Sequence, residues 1–85
     1  MLKVSVISPE RVLFEGEASS VVVPAFDGEV GILEHHAPMM TLLGRGILRL
    51  AGGAASQQFR VEGGFLQVAD DHVRVVAERA EAVGG

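Results

Sequence analysis

The chain has 85 residues, which is enough for one small domain and excludes two. It is 48% hydrophobic and has no cysteine, which excludes disorder, a disulfide framework, thiolate chemistry and Cys-based metal centres. Seven Lys and Arg against 11 Asp and Glu leave a net charge of −4, and the four Phe stand without Trp or Tyr, so the chain has neither the basic footprint nor the stacking rings of a nucleic-acid binder. The longest apolar stretch, Val21 to Phe26, is broken by Pro24 and falls far short of the roughly 20 residues that span a bilayer. Met1-Leu2-Lys3 opens without the apolar region of a secretory signal, so a cytoplasmic placement with no transmembrane segment is expected.

Thirteen Val and three Ile, punctuated by 11 Gly and three Pro, predict short strands and tight turns. Leu2, Val4 and Val6 alternate with Lys3 and Ser5 as a half-buried first strand that ends at the turn Ser8-Pro9-Glu10. Val12 and Phe14 alternate with Arg11 and Glu15, and Gly16-Glu17 is expected to turn the chain into Val21-Val22-Val23, a run buried on both faces. Asp27-Gly28 is a hairpin signal, because both residue types tolerate positive φ, and a strand from Glu29 to Leu33 should follow. Glycines at 44, 46, 52 and 53 bracket the strand Ile47 to Leu50, with Arg49 pointing outward. Phe59 and Val61 define another strand, Gly63-Gly64 a break, Phe65 to Val68 a further strand, Asp70-Asp71 a turn, and Val73, Val75 and Ala77 the last strand. The segment Ala77 to Val83 has the Ala, Glu and Arg composition of a helix too short to hold alone, and is expected to fray. The fold class is all-β: about ten strands in a sandwich or flattened barrel.

Candidate chemistry is sparse. Gly44-Arg45-Gly46 lacks the third glycine of a dinucleotide fingerprint, and no phosphate loop is present. The single lysine, Lys3, lies in a strand, which excludes a hairpin-tip carrier lysine and Schiff-base chemistry. Ser19, Ser20 and Ser56 sit in no nucleophile elbow. Glu34-His35-His36 is the most interesting polar group: in an extended chain Glu34 and His36 face one way and His35 the other, so a metal would need a third ligand such as His72. The plainer reading is a turn histidine beside a solvated one, and partner recognition is a third. Glu15 with Glu17, and Asp70 with Asp71, read as solvated turn carboxylates. No catalytic residue, cofactor site or metal site is assigned.

Gly28-Glu29-Val30-Gly31-Ile32-Leu33 followed by His36-Ala37-Pro38-Met39-Met40-Thr41-Leu42-Leu43 resembles the signature of the epsilon subunit of F-type ATP synthases, called delta in mitochondria. Leu2 to Glu15, Gly46 to Leu50 and Val61 to Val68 resemble further segments of that family in the same order. The likeness runs to about Ala80, so residues 1–80 are expected to form the epsilon-type sandwich and residues 81–85 a frayed tail.

The resemblance implies a non-catalytic rotor subunit, peripheral on the cytoplasmic face of the bacterial membrane. Its partners would be the gamma subunit and the c-ring, and it would couple ring rotation to ATP synthesis. Carried over by position, Phe26, Asp27, Gly28, Glu29 and Val30 would face the c-ring, where exposed carboxylates can pair with loop arginines. Ser8, His36, Ala37, Met39, Met40 and Thr41 would face gamma, and alternation turns only one of the two methionines outward. The chain departs from the family in having Glu34-His35 where Pro-Gly is common. It also stops before the family's C-terminal helical hairpin, so an inhibitory insertion and an ATP site are not expected of it. The alternatives are a free-standing β-sandwich adaptor and a small metal-dependent enzyme built on His35, His36 and His72.

Overall fold

Alternation drives the first strand, β1 (Leu2–Ile7): Leu2, Val4 and Val6 are buried while Lys3 is exposed. The computed structural model describes residues 1–53 and 57–83. Seven further strands follow: β2 (Val12–Ala18), β3 (Ser20–Ala25), β4 (Gly28–Leu33), β5 (Met39–Leu42), β6 (Arg45–Ala51), β7 (Gln57–Ala69) and β8 (His72–Ala82). The strand order is β2-β1-β8-β7-β6-β3-β4, with β5 beside β7.

Three strand paths run through both layers of the sandwich. β5 and β6 pair with β7 in one unbroken antiparallel register, Met39↔Val68 to Leu42↔Phe65 and then Arg45↔Glu62 to Leu50↔Gln57. The gap between them is closed by the Leu43 amide on the Gly64 carbonyl at 3.0 Å and the Gly63 amide on the Gly44 carbonyl at 3.2 Å. β8 follows β7 along its length. The ribbon is creased at Gly63-Gly64, where φ is +70° and +98°. Two consecutive left-handed residues turn the pleat over, so β7 presents odd residues Phe59 and Val61 to the core on one side and even residues Leu66 and Val68 on the other. A Cβ on Gly64 would lie 1.9 Å from the Val76 carbonyl oxygen. Beyond the crease, β1 and β2 extend one half of the ribbon into the first layer, and β3 and β4 extend the other half into the second.

The eight strands therefore provide the expected ten strand segments, because β7 and β8 serve both layers. Gly63-Gly64 bends a strand and does not end one. Ala77 to Ala82 is no helix but the continuation of β8, paired as Val61↔Ala80 and Phe59↔Ala82, and the Val83 amide donates to the Gln58 carbonyl. Pairing with β7 overrides the local helix preference. Gly84 and Gly85 lie outside the described residues, as does Ser56.

Two more expectations change in β2. Gly16-Glu17 is not a turn; it lies within β2, where the Phe14 ring covers Gly16 so closely that an added Cβ would meet it at 2.8 Å. A bulge between Val6↔Phe14 and Ile7↔Val12 leaves Leu13 as the extra residue and turns Val12 outward, 53% exposed. In β3, Val21 and Val23 are buried but Val22 only half so, since it lies on the outer face. The expected turns at Asp27-Gly28 and Asp70-Asp71 are present. The positive φ at the first falls on Gly28 (132°), whereas Asp70 (51°) and Asp71 (59°) both adopt it. One continuous core fills the space between layers, and Phe14 of β2 meets Phe59 of β7 across it at 6.0 Å between ring centroids.

Candidate functional site: an apolar outer face beside an acidic hairpin

The outward side chains of the two layers differ in kind. On the second layer they include Arg45, Arg49, Arg60, Glu62, Arg79 and Glu81, all exposed, with Arg60 and Glu81 paired at 2.7 Å. Leu33, 64% exposed, and half-buried Val22 and Ile47 share that face, but charged or polar residues interrupt every row across it. On the first layer, one cross-strand row is apolar from edge to edge: Val12, Ile7, Val76, Phe65 and Leu42 are successive register partners in β2, β1, β8, β7 and β5. Its middle members are half-buried by one another, while its ends Val12 and Leu42 are 53% and 62% exposed. Met40, 65% exposed, lies on the same face of β5 one row away.

None of these five residues was assigned a role from sequence. The signal was nevertheless present: Val6-Ile7, Val75-Val76, Phe65-Leu66 and Leu42-Leu43 each break strict alternation with a second apolar residue. In each pair one member is buried in the core and the other belongs to the row.

The β3–β4 hairpin abuts this row. Phe26 is 64% exposed at its tip, and its amide donates to the Leu42 carbonyl at 3.0 Å. Asp27, Gly28 and Glu29 are exposed and Val30 packs on the core. Glu29 stands 3.5 Å from Arg49, a surface pair that contributes at most about 1 kcal/mol.

The other carried-over positions divide between surface and interior. Ala37 and Met40 are exposed, His36 and Thr41 half-buried, and Met39 packs on the core. Ser8 is buried, its hydroxyl donating to the Arg11 carbonyl at 3.3 Å to close the β1–β2 turn. The chain is not extended through Glu34-His35-His36: the His36 amide closes a turn on the Leu33 carbonyl, with His35 left-handed at φ +65°. The three histidines have different neighbours. His36 Nδ1 donates to the Ala37 carbonyl at 2.7 Å, His35 lies by Asp71, and His72 Nε2 is 3.3 Å from Ser5 Oγ. Among the described residues no three His, Asp or Glu side chains form a group able to hold a metal. The Met1 ammonium pairs with Glu34, and that hydrogen bond raises its pKa above the ordinary value.

The fold is thus an all-β sandwich with an apolar row across the outer face of one layer and an acidic hairpin at the row's end. The chain belongs to the family described as ATP synthase, Delta/Epsilon chain, beta-sandwich domain, whose model matches residues 1–83. It is 44% identical to the ATP synthase epsilon chain of Leptospira interrogans over 77 residues, which are 91% of this chain and 61% of that one. It is 46% identical to that of Solibacter usitatus, covering 96% of this chain and 63% of that one. The chain thus spans about three fifths of the length of these curated relatives. In fold it is similar to a chain of the Euglena gracilis mitochondrial ATP synthase, in a structure that includes the c-ring (TM-score 0.85, 21% identity, 95% of this chain and 52% of that one). It is also similar to a chain from the central stalk and c-ring of Tetrahymena thermophila mitochondrial ATP synthase (TM-score 0.75, 16% identity, 94% of this chain and 65% of that one).

Proposed function

We propose that this chain acts as a non-catalytic central-stalk domain of a rotary ATP synthase, docked on the gamma subunit through the outer face of its first layer and on the c-ring through the β3–β4 hairpin. The reading puts it, without a membrane span of its own, at the cytoplasmic face of a bacterial membrane, where it passes ring rotation to the stalk. The observation that carries the reading is the apolar row Val12-Ile7-Val76-Phe65-Leu42 with Met40 beside it, on a face that solvent alone would not favour. His36 and Ala37 would widen that face just ahead of β5, with Met39, Thr41 and Ser8 supporting it from within. Asp27 and Glu29 would offer carboxylates to cationic ring loops; such rim pairs fix register more than they add affinity.

Calorimetric titration with the gamma subunit of the same organism, at two salt concentrations, tests the docking half of the proposal. One-to-one, submicromolar binding with mild salt dependence is expected of an apolar interface. Absence of binding would overturn it.

A further inference from the structure

The segment 34–38 carries the chain from β4 in the second layer to β5 in the first, and three of its residues are restrained from within the segment. Pro38 has φ fixed by its ring and holds Ala37 extended, while the His36 imidazole is bonded to the Ala37 carbonyl. His35 is different. It sits at φ +65°, a region that residues with a Cβ disfavour, and its side chain is almost wholly exposed. What meets it comes from 36 residues away in sequence: Asp71, at the tip of the β7–β8 hairpin, accepts the His35 amide on Oδ1 at 2.6 Å. Oδ2 lies 3.7 Å from His35 Nδ1, so a protonated imidazole adds an ion pair. Asp71 is itself anchored, with its carbonyl accepting the Lys3 amide at 2.9 Å.

We infer that Asp71 is a positioning residue, whose carboxylate holds His35 in the left-handed conformation and thereby sets the path of 36–38 and the placement of Met40 and Leu42 for docking. The inference rests on the gamma-docking reading above. A charge-assisted bond to a backbone amide is stronger than a neutral one, and here it adds to the Leu33–His36 turn bond in offsetting the conformational penalty at His35. Without the clamp the docking-competent path becomes one of several, and apparent affinity falls by the fraction lost.

The test uses the 85-residue chain with purified gamma subunit. Asp71→Gly removes the carboxylate while leaving the positive φ of residue 71 accessible; Asp71→Asn keeps a neutral acceptor. Asp71→Gly should weaken gamma binding about five- to tenfold and speed amide exchange at His35. Asp71→Asn should lose less, and adding His35→Gly to Asp71→Gly should restore most of the affinity, because glycine takes the left-handed conformation without a clamp. A purely structural role for Asp71 would give no such rescue, and its absence overturns the inference. Unchanged affinity in Asp71→Gly, with the unsubstituted chain binding normally, also overturns it and leaves the docking reading intact. If the unsubstituted chain does not bind gamma, the docking reading fails and the clamp with it as a device for docking. Hydrogen exchange on the free chain then decides the conformational part: unchanged His35 exchange in Asp71→Gly refutes it, and faster exchange reversed by Asp71→Asn sustains it.

Discussion

Phe26 at the tip of the β3–β4 hairpin and Leu42 at the end of β5 are joined by a backbone hydrogen bond of 3.0 Å, although they belong to opposite layers of the sandwich. The two side chains are 64% and 62% exposed. The bond makes the proposed ring-facing hairpin and the proposed gamma-facing row one continuous surface.

Leu42 and Met40 are exposed, so replacing both with Asp should change unfolding free energy by no more than about 1 kcal/mol. The same change puts two charges into the proposed interface at the β5 end of the apolar row. Gamma affinity should fall at least about tenfold, read by calorimetry beside a thermal melt. Equal affinity for both proteins would remove this face from the docking surface.

Charge reversal at Asp27 and Glu29 should separate the two contacts. We expect proton-coupled ATP synthesis in reconstituted enzyme to fall while gamma binding by the isolated chain stays within about threefold of normal, since rim charges contribute little affinity. A parallel loss of both would show that the hairpin has no separate task.

Two glycines should respond oppositely to alanine. At Gly64 the new methyl meets the Val76 carbonyl and the residue must hold φ +98°, so a loss of at least about 2 kcal/mol is expected in urea unfolding. Gly31, exposed on β4 with nothing near its missing Cβ, should accept alanine with a gain of about 0.5 kcal/mol.

Phe59→Ala removes the ring that meets Phe14 across the core, and at 1% exposure the vacated space cannot fill with solvent. The expected cost is about 3–5 kcal/mol, a large part of the stability of so small a domain, and it should appear as a lower urea midpoint with an unchanged slope.

Alternation and turn chemistry are local, and they made much legible: β1, the Asp27-Gly28 and Asp70-Asp71 hairpins, the outward Arg49, and the division of labour between Met39 and Met40. The family signature added the hairpin and β5 as candidate faces. What only the tertiary structure decided depends on partners distant in sequence. The composition of Ala77 to Ala82 favours helix, and β7 makes it strand; Gly63-Gly64 looks like a stop, and unbroken pairing on both sides makes it a crease. His35 takes a left-handed conformation, and its amide bonds to the Asp71 carboxylate, 36 residues further along the chain. The apolar row is assembled from five strands, and its doubled apolar residues read as excess core until register places one of each pair outside. A residue's own sequence neighbours govern its backbone preference, but which face of a sheet it occupies is settled by hydrogen-bonded register, and that is a property of the whole fold.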